Sequence, residues 1–144
     1  MKKLKTLFVA LLICVTTCFS FLFTSCSGTE TYKFESCLYN DYGDEFKIGV
    51  GETFQGLNYK EDTFIFILYD NNTFMLRFDH GVEDSHDSIE IFTGTWENGY
   101  NDEIYLIPDP YQENYIMEDI TIAKKDGAFI TIDLSEYMKL TLKK

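Results

Sequence analysis

Cysteine and proline are both scarce. Four cysteines occur in 144 residues; Cys14, Cys18 and Cys26 fall within the first 26 positions, and Cys37 alone lies in the body of the chain. Once the leader is gone, Cys37 has no partner for an internal disulfide, so the domain must stand on its apolar core. No base lies near Cys37 in sequence, which favours a small packing residue over a nucleophile. The two prolines, Pro108 and Pro110, close together, mark the end of one strand, since proline has no N–H for a ladder. Basic residues are few: 12 Lys and Arg against 24 Asp and Glu. Residues 1–25 hold three of the lysines and no acid, leaving nine basic against 24 acidic residues, a net charge of −15 for the rest. That surface repels phosphate, which argues against a nucleic-acid partner and against flat docking on anionic lipid; it also keeps the domain soluble. G-x-S-x-G, a Walker loop and C-x-x-C are all missing. Carboxylates are so frequent that no pair of them marks acid–base chemistry. No enzymatic activity and no cofactor is read from this chain. Repeats, low-complexity tracts and, beyond the leader, long amphipathic helices are absent too.

The leader is informative. Lys2, Lys3 and Lys5 precede a mostly apolar run from Leu7 to Phe23, followed by Thr24, Ser25 and Cys26. A basic start, an apolar stretch and small residues before a cut make a secretory signal. The run is somewhat short for a membrane span, which needs about 20 apolar residues. Phe23-Thr24-Ser25-Cys26 resembles the bacterial lipobox, with Phe23 where that motif usually carries Leu. The resemblance implies a lipid thioether at Cys26, removal of residues 1–25, a short tether over 26–30 and a domain over 31–144. Two acyl chains or more hold a protein on a membrane far better than one, at about 0.8 kcal/mol per buried CH₂. An uncleaved membrane helix and an ordinary signal cut near Ser25 are the other two readings of the same residues.

In the body of the chain the apolar residues alternate with period two, the mark of strands with one wet face. Phe74, Leu76 and Phe78 oppose Thr73, Met75, Arg77 and Asp79; Ile130, Ile132 and Leu134 oppose Phe129, Thr131 and Asp133; Met138, Leu140 and Leu142 oppose Tyr137, Lys139, Thr141 and Lys143. "TFIFILY", 63–69, is apolar on both faces, so its second face is expected to meet something besides the main core. "DNNT" at 70–73, "KKDG" at 124–127 and "NGYND" at 98–102 read as hairpin turns. Eight strands are expected, at 31–38, 63–69, 73–79, 89–97, 103–107, 115–123, 128–134 and 137–143. The gap at 40–62 is expected to hold a short strand at Phe46 to Ile48 or a lid-like turn. The fold class is all-β: an antiparallel meander of about eight strands closed into a small barrel. Pairing the last strand with the first would remove its edges. A two-sheet β-sandwich is the alternative. The inward set is Phe74, Leu76, Phe92, Trp96, Ile104, Leu106, Ile132, Leu140 and Leu142.

"IFTGTWENGYNDEIYLI", 91–107, resembles the central hairpin of small lipocalin-like domains of bacterial lipoproteins: an aromatic, a glycine and a tryptophan at alternate positions, then a turn and an apolar strand. Phe92, Gly94 and Trp96 carry the likeness. It implies a lipocalin-like barrel on a lipid-anchored cell-envelope protein that binds a small apolar ligand, with Phe92 and Trp96 as ligand-binding residues. In true lipocalins the Gly-x-Trp sits on the first strand and here it is mid-chain, so the ligand residues of that family are not transferred. The alternative is an anchored protein- or glycan-interaction module with a filled core. An internal cavity of a few hundred Å³ distinguishes the two.

Three other stretches carry candidate chemistry. "DHGVEDSHD", 79–87, contains both histidines, His80 and His86, among four carboxylates. Its spacing fits no metal motif, so a solvated acidic loop is the reading and no metal is assigned. "NDYGDE", 40–45, lacks the ordered spacing of an EF-hand loop. Tyr100, Tyr105, Tyr111, Tyr115 and Tyr137 offer an aromatic platform only if strands bring them together. Partners are therefore the membrane, through Cys26, and a small apolar ligand, on a monomer.

Overall fold

The structure, a computed structural model, describes residues 28–41, 43–81, 89–110 and 120–144. They form eleven strands and no helix: β1 (Glu30–Asp41), β2 (Asp44–Gly49), β3 (Thr53–Phe54), β4 (Leu57–Asn58), β5 (Phe64–Leu68), β6 (Thr73–Asp79), β7 (Ile89–Asn98), β8 (Glu103–Pro108), β9 (Thr121–Asp126), β10 (Phe129–Ser135) and β11 (Met138–Lys143). From β5 to β11 each strand pairs antiparallel with the next, and β5 pairs with β1. β11 then returns to β1 along a ladder from Lys33 opposite Lys143 to Tyr39 opposite Met138. That last ladder closes eight strands into a barrel, with β2 as an extra strand, and rules out the two-sheet sandwich. Closure abolishes the sheet edges that an open meander would expose.

The period-two pattern decides which side chains enter. Phe34, Phe66, Phe74, Leu76, Phe92, Leu106, Ile130, Ile132, Leu140 and Leu142 are each at most 1% exposed. The expected inward set is buried except for Trp96, which is half-buried at one end of the barrel. On the outer face of β5, Ile65 and Ile67 are half-buried with no second layer over them among the described residues. They lie between outward neighbours, Ile65 beside Lys33 and Arg77, and Ile67 beside Thr31 and Met75. Long flanking side chains can cover such apolar positions while their polar heads reach water.

Turn chemistry sets the register. Asp70–Asn72 joins β5 to β6, with Asn72 at φ 63 and the Tyr69 N–H donating to the Thr73 carbonyl. A three-residue loop ending in a left-handed residue is a favoured hairpin connection. The turn expected at 124–127 is two residues further on. β9 runs to Asp126, with Lys124 opposite Thr131 and Lys125 opposite Ile130. Gly127, at φ 59, and Ala128 make the bend, because glycine takes the left-handed conformation that the lysines resist. Of the strand expected at 115–123, residues 115–119 lie outside those described.

The gap at 40–62 holds both of the expected features. β1 has a bulge where its register to β11 shifts between Phe34 and Ser36. Before it, Glu30 to Lys33 pair with β5; after it, Ser36 to Asp41 pair with β2. An extra residue bends a strand and raises its twist, so β1 can leave one neighbour for another. β3 and β4 form a separate hairpin through Gln55 and Gly56, both at positive φ. It is the tip of a flap between β2 and β5.

The barrel ends are unlike. The turns at 69–72, 99–102 and 127–128, the start of β1 and the end of β11 share one end. The β1–β2 and β10–β11 turns, the flap, and the departures of the β6–β7 and β8–β9 connections share the other.

Candidate functional site

The loop end gathers most of the unusual side-chain chemistry. Phe64 and Phe78 stack in parallel there, ring centroids 4.4 Å apart. The His80 ring lies over Phe78, with centroids at 4.1 Å and a 50° tilt. Its Nε2 is 3.0 Å from Glu90 Oε1. The alternation of β6 puts Phe78 on the inward face, and His80 follows where the strand ends. Asp79, facing out, accepts from Arg77 at 2.9 Å and from the Gly81 N–H at 2.9 Å. His80 is thus fixed by a ring contact and one carboxylate. Among the described residues no three His, Cys, Asp or Glu side chains converge on a metal position. His86 lies outside the described residues.

The flap covers the interior beside this group. Tyr59 packs on Phe34, with centroids at 5.3 Å. Two bonds, Gly51 N–H to the Tyr59 carbonyl at 2.7 Å and Tyr59 N–H to the Glu52 carbonyl at 2.8 Å, clasp its base. The Phe34 N–H donates to the Glu61 carbonyl, taking up a backbone donor where β5 falls short. A Cβ on Gly81 would lie 3.0 Å from Leu57 Cδ1, so the flap tip reaches the residue after His80. On the flap itself, Phe54 meets Tyr39 and Phe46, and Phe46 is 46% exposed. Sequence reasoning missed this aromatic group. The usable signal was Phe54-Gln55-Gly56-Leu57, a two-residue turn between apolar residues. β2 is the last strand in the sheet order, paired only with β1 among the described residues, and carries Asp44, Glu45 and Lys47 exposed.

The expected ligand residues occupy other places. Phe92 is 1% exposed, deep in the core. Trp96 stands at the short-turn end, its indole N–H donating to the Tyr69 carbonyl at 3.1 Å. Gly94 between them is a close-approach glycine, as a Cβ there would lie 2.1 Å from the Ile107 carbonyl oxygen. Two depressions, of about 580 Å³ over Ile122, Lys124, Thr131 and Lys139 and about 470 Å³ beside Asn40, Tyr137 and Met138, are lined by none of the core residues, while a third, of about 380 Å³ beside Lys33, Glu61 and Lys143, reaches one of them, Phe34. Among the described residues the tyrosines do not converge: Tyr105 is on β8, while Tyr100 and Tyr137 occupy turns at opposite ends; Tyr111 and Tyr115 lie outside the described residues. Asn40 to Glu45 belongs to the β1–β2 turn, where Asn40 Oδ1 accepts from the Gly43 N–H.

A second polar cluster, also unanticipated, sits inward at the short-turn end. Glu30 accepts from Lys125 Nζ at 2.6 Å, Lys144 Nζ at 3.2 Å and the Tyr32 hydroxyl at 2.7 Å. Burial alone would raise the Glu30 carboxyl; the hydrogen bonds from Lys125, Tyr32 and Lys144 outweigh it and hold the group down to about 2. Tyr32, buried and bonded to that carboxylate, is pushed above its ordinary range. Cys37 is buried, which raises its thiol to about 11 and removes it from nucleophilic use. Cys26 lies outside the described residues. Compared with family models, curated proteins and solved structures, the chain matches none.

Proposed function

We propose that this chain is an exported bacterial cell-envelope lipoprotein, lipid-anchored at Cys26, whose barrel is a filled scaffold for a protein-interaction surface at the loop end. The observation that carries this reading is the interior. Aromatic and aliphatic side chains of the barrel walls form one buried cluster, all but Leu134 of it at most 3% exposed, and close packing of that kind supports a filled core over a ligand cavity. A small apolar ligand, the other reading, would have to enter by lifting the flap off Phe34. The surface left for binding is the flap end, where Phe46 and Val50 are exposed beside Asp44, Glu45 and Glu52. The edge of β2 left unpaired among the described residues offers backbone donors and acceptors to an extended segment of a partner, which favours protein over glycan. Acidic flanks suit a segment with basic residues around an apolar one.

Two measurements test this reading. Native mass spectrometry of the protein taken from envelopes should give the mass of the acylated chain with nothing further bound. A stoichiometric lipid or other apolar adduct would return the ligand-binding reading. Photocrosslinking in cells from position 46, with position 131 on the barrel wall as control, should give a discrete protein adduct from 46 alone. Equal labelling from both positions would remove the interaction surface. Fatty-acid labelling lost in Cys26→Ala tests the anchor separately.

A further inference from the structure

We infer that the barrel stands end-on upon its membrane, with the short-turn end seated in the lipid headgroup layer and the flap directed away from it. This rests on the anchoring at Cys26 proposed above and adds an orientation and a lipid-contact surface to it.

Tether length is the first argument. Three residues separate Cys26 from Glu30, where β1 begins. Fully extended, that spacing reaches about 14 Å at most. Glu30 itself is paired with Leu68 on β5 and held by Lys125 on β9 and Lys144 just beyond β11, so β1 cannot fray at little cost to lengthen the tether. The short-turn end, which includes Glu30, is therefore confined near the bilayer surface, while the loop end is not.

What that end presents is the second argument. Tyr100, at the tip of the β7–β8 turn, is 81% exposed, and Phe129, beside the β9–β10 turn, is 37% exposed. Lys143 Nζ lies 5.7 Å from the Phe129 ring centroid. A tyrosine settles at headgroup depth with its hydroxyl toward water, and a lysine beside an apolar ring can cover it with its stem while the ammonium reaches the headgroups. Lys33 is paired with Lys143, which is paired with Phe129, so the basic residues continue up the wall from the ring.

Charge polarity is the third. Residues 28–33, 68–73, 96–104, 124–131 and 141–144, the strand ends and turns of this end, contain five lysines and six acids, two of the lysines bound to Glu30. The other described residues contain four basic residues against twelve acids. An anionic leaflet repels the second set far more than the first, and so turns the short-turn end toward itself. On the side wall Ile91 is 50% exposed, but the tether and the polarity both disfavour a flat contact there.

Site-directed labelling of the full chain, acylated in a bacterial host, tests the orientation. Tyr100→Cys, Ile91→Cys and Glu45→Cys place a fluorophore at the short-turn end, on the wall and at the loop end. Burial protects Cys37 from maleimide, and lipidation occupies the Cys26 sulfur. Each protein is mixed with vesicles of phosphatidylcholine and phosphatidylglycerol that carry a nitroxide on some headgroups, and flotation reports anchoring. The expected result is flotation of all three, with most of the fluorescence lost at position 100 and none at 91 or 45. Flotation with equal loss at 91 and 100, or no loss at 100, would overturn the orientation while leaving the anchor intact. Failure to float would overturn both.

Discussion

Gly94→Ala should be among the most damaging small substitutions in this barrel. The residue lies on β7 opposite Phe74 on β6 and Pro108 on β8. Its φ is not in the left-handed region, so alanine is acceptable to the backbone and the penalty is purely steric. An added Cβ would lie 2.1 Å from the Ile107 carbonyl oxygen, 2.7 Å from Phe74 Cε1 and 3.0 Å from the Ile107 carbonyl carbon. The oxygen belongs to the β8 backbone and cannot rotate away. The Phe74 ring, 1% exposed, has no free space behind it. Relief therefore requires β7 and β8 to separate locally or Phe74 to leave its rotamer. Forcing extra volume into a packed core costs about 1–3 kcal/mol, occasionally more. The smaller entropy of unfolded alanine offsets about 0.4–1 kcal/mol. Backbone contact puts the net loss at about 2 kcal/mol, a substantial share of the about 5–15 kcal/mol available to a domain. With a urea slope of about 1–3 kcal/mol per molar for a protein of this size, the midpoint should fall by about 1 M. Urea unfolding of the chain without its leader, followed by Trp96 fluorescence, reads the shift. Gly28→Ala is the control: nothing lies within 4 Å of its added Cβ. An unchanged midpoint for Gly94→Ala would refute the close approach of β8, and with it the register of the central hairpin.

Two further outcomes follow from the closing ladder and from Glu30. Leu140 on β11 is fully buried between Cys37 and Ile132, and Leu140→Ala should cost about 2–5 kcal/mol, whereas Thr141→Ala, one residue along on the outer face, should cost under about 0.5 kcal/mol; reversed costs in the same urea assay would mean that β11 is turned the wrong way round. The Glu30 carboxyl is lowered from 4.5 to about 2 by folding, so its contribution is present above pH 4.5 and is lost as pH falls from there toward 2. Between those limits the parent should lose stability more steeply than Glu30→Gln, since the other carboxylates titrate in both; parallel curves would mean that Lys125 and Lys144 do not hold Glu30 in solution.

The strands and their facing were legible because burial is recorded in period two. Phe74, Leu76, Ile132, Leu140 and Leu142 are each flanked by polar or outward residues, and one chain face is enough to fix each register. Turn residues were less exact guides. Lys124 and Lys125 looked like part of a turn because they precede Asp126 and Gly127, yet on β9 one faces out and the other reaches in to Glu30. A lysine directed inward at a barrel end breaks the alternation rule for a reason that appears only when β1 and β9 are brought near each other, 95 positions apart in sequence. The flap was foreseen only as a lid-like turn, without its hairpin or its contacts. Its strands are two residues each, too short to show any period, and Tyr59 finds Phe34 through tertiary contact alone.

The bulge in β1 explains why sequence reading could close the barrel and still miss the aromatic group on the flap. Local alternation along 31–38 predicts one partner on each side of β1. After the register shift at Phe34 and Ser36, the side vacated by β5 is taken by β2, a strand whose exposed residues carry no apolar alternation of their own. Ile48 alone anchors it, at 5% exposed, while Phe46 turns to Phe54 on the flap. The bend thus builds the flap end as an addition to a barrel already complete without it. The opposite end is governed by the same strand: Glu30 fixes the first residue of β1 to the ends of β9 and β11, and the tether leaves from there. The anchor and the recognition surface proposed above would therefore fall at the two ends of one twelve-residue strand, with the core between them as the spacer.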